Sequence, residues 1–348
     1  MENMKSVAIL GGNGFVGHHL ARRFKSQGYY VRVIDIEEYE YGPNDYADEV
    51  VIADMRDYSM VNAALRFQGD FSYHVKPYEE VKQFDIVAAL CCNMGGALYV
   101  FSGEHDAEII SDSALMNINI AKVLHDQDFK GILFYSSSAC MYPQEIQRET
   151  NNTGLKESDA YPLNPDSDYG LEKAFSERLY LAYQRNYNLN VRIARFHNIY
   201  GPEGKYTDPK AKAPAAMCRK AAEAKDPEGI GCRNFVEVLG DGMQTRSFLF
   251  IDDCIDAVCL LLESDYHEPI NIGSEEMVSI NELAHLAIDL SGKKLMVNNV
   301  HSNALGVRGR NSDNTLARKV LNGWEPKYSL KDGMKILYSW INQQVNGK

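Results

Sequence analysis

Val7-Ala8-Ile9-Leu10-Gly11-Gly12-Asn13-Gly14-Phe15-Val16-Gly17 runs from an unbroken apolar tetrapeptide through a glycine turn into a helical pattern that reaches Lys25. A strand, a glycine turn and a helix in that order separate a dinucleotide-binding fingerprint from a chance run of glycines. Gly11 permits the tight turn, Gly14 lets the backbone approach a pyrophosphate, and Gly17 allows close helix–strand packing. Phe15 and Val16 open the helix, whose free N–H groups and dipole favour phosphate. The second apolar run, Val31 to Ile34, ends at Asp35. A carboxylate there accepts hydrogen bonds from a ribose hydroxyl and repels a 2′-phosphate, so the sequence reads as binding NAD rather than NADP. Alternation along the strand points Arg32 away from Asp35. Asp54 and Met55, after a third run at 49–52, are expected beside the adenine ring.

Outward from this unit the pattern repeats. Further strands are expected at 86–90, 132–135 and 191–194, with helices at 114–125 and 169–187. Strands alternating with helices spell βαβ units, hence an α/β fold with a doubly wound parallel sheet. Residues 1–200 read as the dinucleotide-binding domain. After Gly201-Pro202 the pattern loosens into a loop at 204–209, a helix at 213–224 and a turn-rich stretch from Asp226 to Arg233. Two short strands, 248–251 and 269–272, could rejoin the first sheet, so 246–275 is expected to return to it. The remainder is expected to be helical with short breaks, ending in a helix at 330–345. Residues 201–348 are read mainly as a smaller α/β substrate domain. The polar stretch Arg66 to Lys82 reads as an insertion without an assigned purpose.

With 348 residues, two lobes are expected, because single cores stop growing near ~250–300 residues. A composition 45% hydrophobic and 24% charged excludes a disordered or fibrous chain. The net charge of −12 repels polyanions, which argues against nucleic acid as a partner. No apolar run approaches the ~20 residues of a membrane span, and the first apolar run is too brief for a signal peptide. Seven cysteines without framework spacing fit reduced thiols and a cytoplasmic setting. Cys91-Cys92 reads as two small buried hydrophobes. No metal site is expected: His18 and His19 are adjacent on a helix and are read as unable to converge.

Tyr169 and Lys173 stand four apart, on one face of a helix. A phenol is a poor base at neutral pH, but a neighbouring ammonium and a positive nicotinamide both favour the phenolate. The lysine can also bond the nicotinamide ribose. Such a pair alone means little. It gains meaning beside the glycine turn and Ser136-Ser137-Ser138 at a strand end.

The glycine run, the serine-rich strand end, Tyr169 with Lys173, and Arg195-Phe196-His197-Asn198-Ile199-Tyr200-Gly201-Pro202 resemble the landmarks, in order, of the extended short-chain dehydrogenase/reductase family. The likeness covers essentially the whole chain. It implies Ser138, Tyr169 and Lys173 as a catalytic triad with NAD as cofactor. Within that family, Ser138-Ala139-Cys140-Met141-Tyr142-Pro143, Ala211-Lys212-Ala213-Pro214-Ala215-Ala216, Met94-Gly95-Gly96, Gln244-Thr245-Arg246-Ser247 and Val307 to Asp313 look like the GDP-mannose 3,5-epimerases. That resemblance implies Cys140 and Lys212 as the acid/base pair. It assigns Gly96, Ser138, Ala139, Cys140, Asn198, Lys212, Ala213, Lys220, Gln244, Arg246, Ser247 and Arg310 to the sugar nucleotide. Asn198, Lys220, Arg246 and Arg310 are its expected diphosphate contacts, and the guanidinium fork suits phosphate. It also implies a homodimer through the helices at 114–125 and 169–187. Three departures stand out: Ala211 and Asn93 replace expected acidic residues, and the Arg66 to Lys82 stretch is longer than usual. Alternatives are a GDP-sugar C4-epimerase or 4,6-dehydratase with the same triad, or a silent dinucleotide-binding scaffold.

Overall fold

The computed structural model describes residues 4–66, 83–207, 209–225, 234–302 and 305–347. Most of the Arg66 to Lys82 insertion and the stretch from Asp226 to Arg233 lie outside the described residues. In chain order the elements are β1 (Ser6–Leu10), α1 (Phe15–Ser26), β2 (Tyr30–Asp35), β3 (Glu49–Ile52), α2 (Tyr58–Ala64), β4 (Ile86–Ala89), α3 (Ala97–Val100), α4 (Asp106–Asp126), β5 (Ile132–Ser138) and α5 (Asp168–Tyr187). Then come β6 (Asn190–Phe196), β7 (Ile199–Tyr200), α6 (Ala213–Glu223), β8 (Phe235–Leu239), β9 (Thr245–Ser247), β10 (Leu249–Phe250) and α7 (Ile251–Glu263). The chain finishes with β11 (Ile270–Ile272), β12 (Met277–Ser279), α8 (Ile280–Ser291), β13 (Met296–Val300), β14 (Gly309–Arg310), α9 (Thr315–Val320) and α10 (Leu330–Asn346).

Seven strands form one parallel sheet in the order β11-β6-β5-β4-β1-β2-β3. Successive side chains on a strand point to opposite faces, and both faces are covered. Val7 and Ile9 of β1 join one apolar cluster with α1, α7 and the C-terminal helices. Ala8 and Leu10 join a second, with α2, α4 and α5. This two-sided burial is why the strands read as continuous apolar runs rather than alternating ones. Chain order reverses between β1 and β4, and a sheet of this kind binds its ligand in the crevice at the carboxyl ends of the strands there.

The first cluster continues without a break from β1 to Leu337 and Ile341 of α10. The C-terminal part therefore packs onto the sheet through a shared core. Of the two segments expected to return to the sheet, 270–272 does so beside β6. Leu249–Phe250 does not: it pairs with β7, and Ile251 already begins α7. The C-terminal part is less helical than its sequence implies, because β12, β9 and β14 form one small sheet and β13 pairs with β8.

Candidate active site

The glycine turn lies where β1 meets α1. Gly11 has φ +81, a left-handed conformation, and a Cβ there would lie 2.7 Å from the Cys91 backbone nitrogen. A Cβ on Gly17 would overlap the Gly11 carbonyl oxygen, so helix and turn touch through backbone. Gly14 is the N-cap of α1 and brings no side chain to the helix N-terminus, leaving its N–H groups for an anion. Asp35 closes the turn, its Oδ2 accepting from the Asn13 N–H at 2.9 Å and its Oδ1 from the Ile36 N–H at 2.8 Å. Arg32 is turned away and bonded to Glu49 at 2.6 Å. These residues fit a dinucleotide. Asp54 is held by Arg56 at 2.7 Å and Met55 is buried.

The crevice is furnished from the ends of β4 and β5, the start of α5 and the N-cap of α6. Ser138 ends β5, and its Oγ accepts the Cys140 N–H at 3.1 Å, which fixes the turn carrying the thiol. Ala139 is buried beneath that turn. Arg310 of β14 places Nη1 3.0 Å from the Cys140 sulfur, Nε 2.6 Å from Gln147 Oε1 and Nη2 3.3 Å from Asp166 Oδ2. The expected diphosphate contact is thus a neighbour of the thiol.

Tyr169 lies in the first turn of α5, buried against Met94, with Sδ 3.9 Å from its hydroxyl. Its titration departs from the sequence expectation. Burial, with the Cys92 and Cys140 thiols adding to it, pushes the phenol well above its ordinary value, and the Ser138 hydrogen bond opposes them. The Lys173 ammonium does not bond the phenol. It donates to the Ser136 carbonyl at 2.9 Å and lies 5.8 Å from the centre of the Tyr169 ring. Lys212 caps α6. Burial holds its ammonium below the ordinary lysine range, while Cys140 and then Cys92 pull it back up. Lys212, Cys140 and Tyr169 thus share one buried electrostatic neighbourhood. Cys92 belongs to it too, whereas Cys91 alone keeps to the apolar reading, its thiol pushed up by burial.

Gly96 abuts this neighbourhood through backbone, since a Cβ there would overlap the Ala211 carbonyl oxygen. Ala213 is the first residue of α6. Arg246 donates to the carbonyls of Thr245 (2.8 Å) and Val307 (2.7 Å) and makes no ion pair among the described residues. Burial and then Arg310 bring its guanidinium down to about 10. Two crowded guanidiniums, one without a carboxylate, make a place for an anion. Asn198, in a left-handed conformation, donates to the Ser247 carbonyl at 2.9 Å. The Ser247 hydroxyl and the Gln244 carbonyl oxygen are buried without hydrogen-bond partners among the described residues. Lys220 donates to the Glu237 carbonyl at 2.7 Å, two turns along α6 from Lys212. The sequence reading missed Gln147 and Asp166, which hold Arg310 and carry no motif of their own.

His18 and His19 require a correction. They do converge: their ring centres are 4.2 Å apart, and Glu203, after β7, brings a carboxylate to both. Adjacent helical side chains diverge at Cα, but the rings are long enough for a third residue to meet them.

These features define a dinucleotide-dependent enzyme of the short-chain dehydrogenase type. Residues 7–273 match the model of the NAD dependent epimerase/dehydratase family, and the chain belongs to that family. It is 40% identical over 345 residues to GDP-mannose 3,5-epimerase from Arabidopsis thaliana, covering 99% of this chain and 84% of that protein. It is 39% identical to GDP-mannose 3,5-epimerase 1 from Oryza sativa subsp. indica, covering 97% and 82%. UDP-glucose 4-epimerase from Thermotoga maritima shares the fold, with a TM-score of 0.79 at 21% identity over 98% of this chain and 100% of that one. The protein is an NAD-dependent nucleotide-sugar epimerase. Among the described residues, no helix is long and apolar enough to cross a membrane.

Proposed function

We propose that this epimerase inverts C3 and C5 of GDP-mannose through a transient 4-keto sugar, giving GDP-L-galactose and GDP-L-gulose. The observation that carries the reading is the Cys140 thiol packed in one cluster with the buried Tyr169 and Met94, with the Ala211–Lys212 backbone closing on Gly96 beside it. The identity to plant GDP-mannose 3,5-epimerases supports it.

A C–H proton of the parent sugar is too weakly acidic to remove. Gly11, Gly14, Gly17 and Asp35 would hold NAD, which would accept the C4 hydride and, after inversion, give it back so that C4 ends as an alcohol again. Tyr169 takes the C4 hydroxyl proton. Its phenol is neutral at rest, so this step depends on positive charge entering the site with the oxidised dinucleotide. Once C4 is a carbonyl, the hydrogens on C3 and C5 lie α to it and become removable. Cys140 takes the proton from one face, its sulfur held by the Arg310 Nη1 donor at 3.0 Å. Lys212, an ammonium whose proton is loosened by burial, returns one on the other face. Arg246 takes the diphosphate, while Ser247 and Gln244 offer unused hydrogen-bonding atoms to the substrate.

The enzyme is further proposed to pair with a second copy through α4 and α5. Leu115, Ile118, Leu171 and Phe175, all at least 39% exposed, form the apolar surface of those helices. Incubation with GDP-mannose and NMR identification of the hexoses tests the main reading: L-galactose and L-gulose are expected. Recovery of unchanged mannose, or of a 6-deoxy-4-keto sugar, would contradict it.

A further inference from the structure

The second turn of α1 carries a group of side chains that the proposed chemistry leaves unused. His18, His19 and Glu203 each bring one ligand atom to within 4.8 Å of the others. His18 is fully buried. Its Nδ1 lies 2.9 Å from the Gly14 carbonyl oxygen, and a carbonyl only accepts, so Nδ1 carries a proton. That bond fixes the ring and aims Nε2 at the carboxylate. Nε2 lies 2.8 Å from Glu203 Oε2 and yet makes no hydrogen bond of good geometry among the described residues. A ring nitrogen whose proton sits on Nδ1 and a carboxylate oxygen are both acceptors, so at that distance they call for a cation between them, a proton or a metal ion.

A shared proton needs near-linear geometry, whereas a shared metal ion does not. With bonds of about 2.0–2.1 Å from each atom to one ion, a nitrogen–oxygen edge of 2.8 Å subtends roughly 85–90° at the metal. The oxygen then lies about half a right angle off the nitrogen's lone-pair axis, which a proton cannot bridge well. The neighbours complete the arrangement. Arg22 Nη1 at 2.6 Å and the Tyr39 hydroxyl at 2.5 Å donate to the same carboxylate, as outer partners of ligating groups do. His19 is the third member, its ring centre 4.2 Å from that of His18. Its Nε2 is 3.2 Å from the Pro202 carbonyl oxygen, a further oxygen beside the cluster.

We propose that His18, His19 and Glu203 bind one divalent transition-metal ion of the zinc class, tying α1 to the loop after β7. Two imidazoles and one carboxylate are donors for zinc, nickel or copper rather than for magnesium or calcium. Ligation through His19 Nε2 gives up the bond to the Pro202 carbonyl and leaves the ring proton on Nδ1. The Arg22 guanidinium on the same carboxylate opposes a dication, which places the affinity in the micromolar range rather than tighter.

The test titrates chelator-treated protein with Zn²⁺ and with Co²⁺. One ion per chain is expected, with a rise in Tm and Co²⁺ ligand-field bands free of thiolate charge transfer. Glu203→Gln, a change at a partly exposed side chain, and His19→Asn are each expected to weaken binding at least about tenfold. Absence of saturable Zn²⁺ binding would overturn the proposal and leave a plain histidine–carboxylate contact. So would equal binding by both variants, thiolate bands with Co²⁺, or the same stabilisation by Mg²⁺.

Discussion

The guanidinium of Arg310 lies 3.0 Å from the sulfur of Cys140, although 170 residues separate them in sequence. Arg310 is itself buried and held by Gln147 and Asp166, so its position does not depend on a substrate. That contact fixes the sulfur proposed to abstract protons and sets a hydrogen-bond donor against it.

Replacing that cation is therefore expected to slow the thiol before it affects anything else. Arg310→Lys, which keeps charge but loses the fork, should lower the rate of Cys140 alkylation by iodoacetamide about tenfold at neutral pH. Epimerisation should fall in parallel, and Arg310→Met should cost more. An unchanged alkylation rate in both variants would show that Arg310 does not activate the sulfur.

Cys140→Ser keeps the shape of the turn, because the backbone bond to Ser138 Oγ is untouched. The variant is expected to retain NAD and sugar nucleotide and to lose at least about 10²-fold in epimerisation, the usual scale for a missing acid/base group. Product formation at the parental rate would remove the thiol from the mechanism.

Gly96→Ala tests the geometry from the other side. The added methyl would overlap the Ala211 carbonyl and push the segment bearing Lys212 outward. NAD binding and far-UV circular dichroism should be preserved while turnover drops by about tenfold or more, since small displacements of a proton-transfer group are costly. Full turnover would mean that the Ala211–Lys212 backbone adapts without cost.

Acid stability follows from two histidines. Burial holds both His197 and His19 down to about 3. In the unfolded chain they take up protons near 6.5, so below that pH the unfolded state binds more protons and stability falls as pH drops toward 3. The slope is at most about 1.4 kcal/mol per pH unit for each histidine. Urea midpoints at pH 7, 6 and 5 measure it, and His197→Asn should flatten the dependence by about half. An unchanged slope in that variant would contradict the assignment.

Much of the sheet was legible because parallel strands bury both faces and so appear as plain apolar runs such as Val7 to Leu10 and Ile86 to Ala89. β5 extends past its apolar part to Ser138 because the three serines are buried and take part in hydrogen bonds, a compensation invisible in composition. α4 begins eight residues before its expected start, since the polar turns from Asp106 bury only Ile109 and Ser113. β13, with Asn298 and Asn299, and the two-residue β14 exist only through pairing with distant β8 and β9. The same limit applies at the site. The Tyr169/Lys173 spacing is local, and so was readable. That Lys173 turns to Ser136, that Arg310 meets Cys140, and that Glu203 meets His18 and His19 depend on contacts across 37 to 185 residues.

The central claim is a 4-keto sugar whose neighbouring hydrogens pass through Cys140 and Lys212. Incubating the enzyme with GDP-mannose in D₂O and locating the label by NMR tests it most directly. Deuterium at both C3 and C5, lost from both in Cys140→Ser, is the predicted result; a ring turned over without deuterium at either carbon would contradict it.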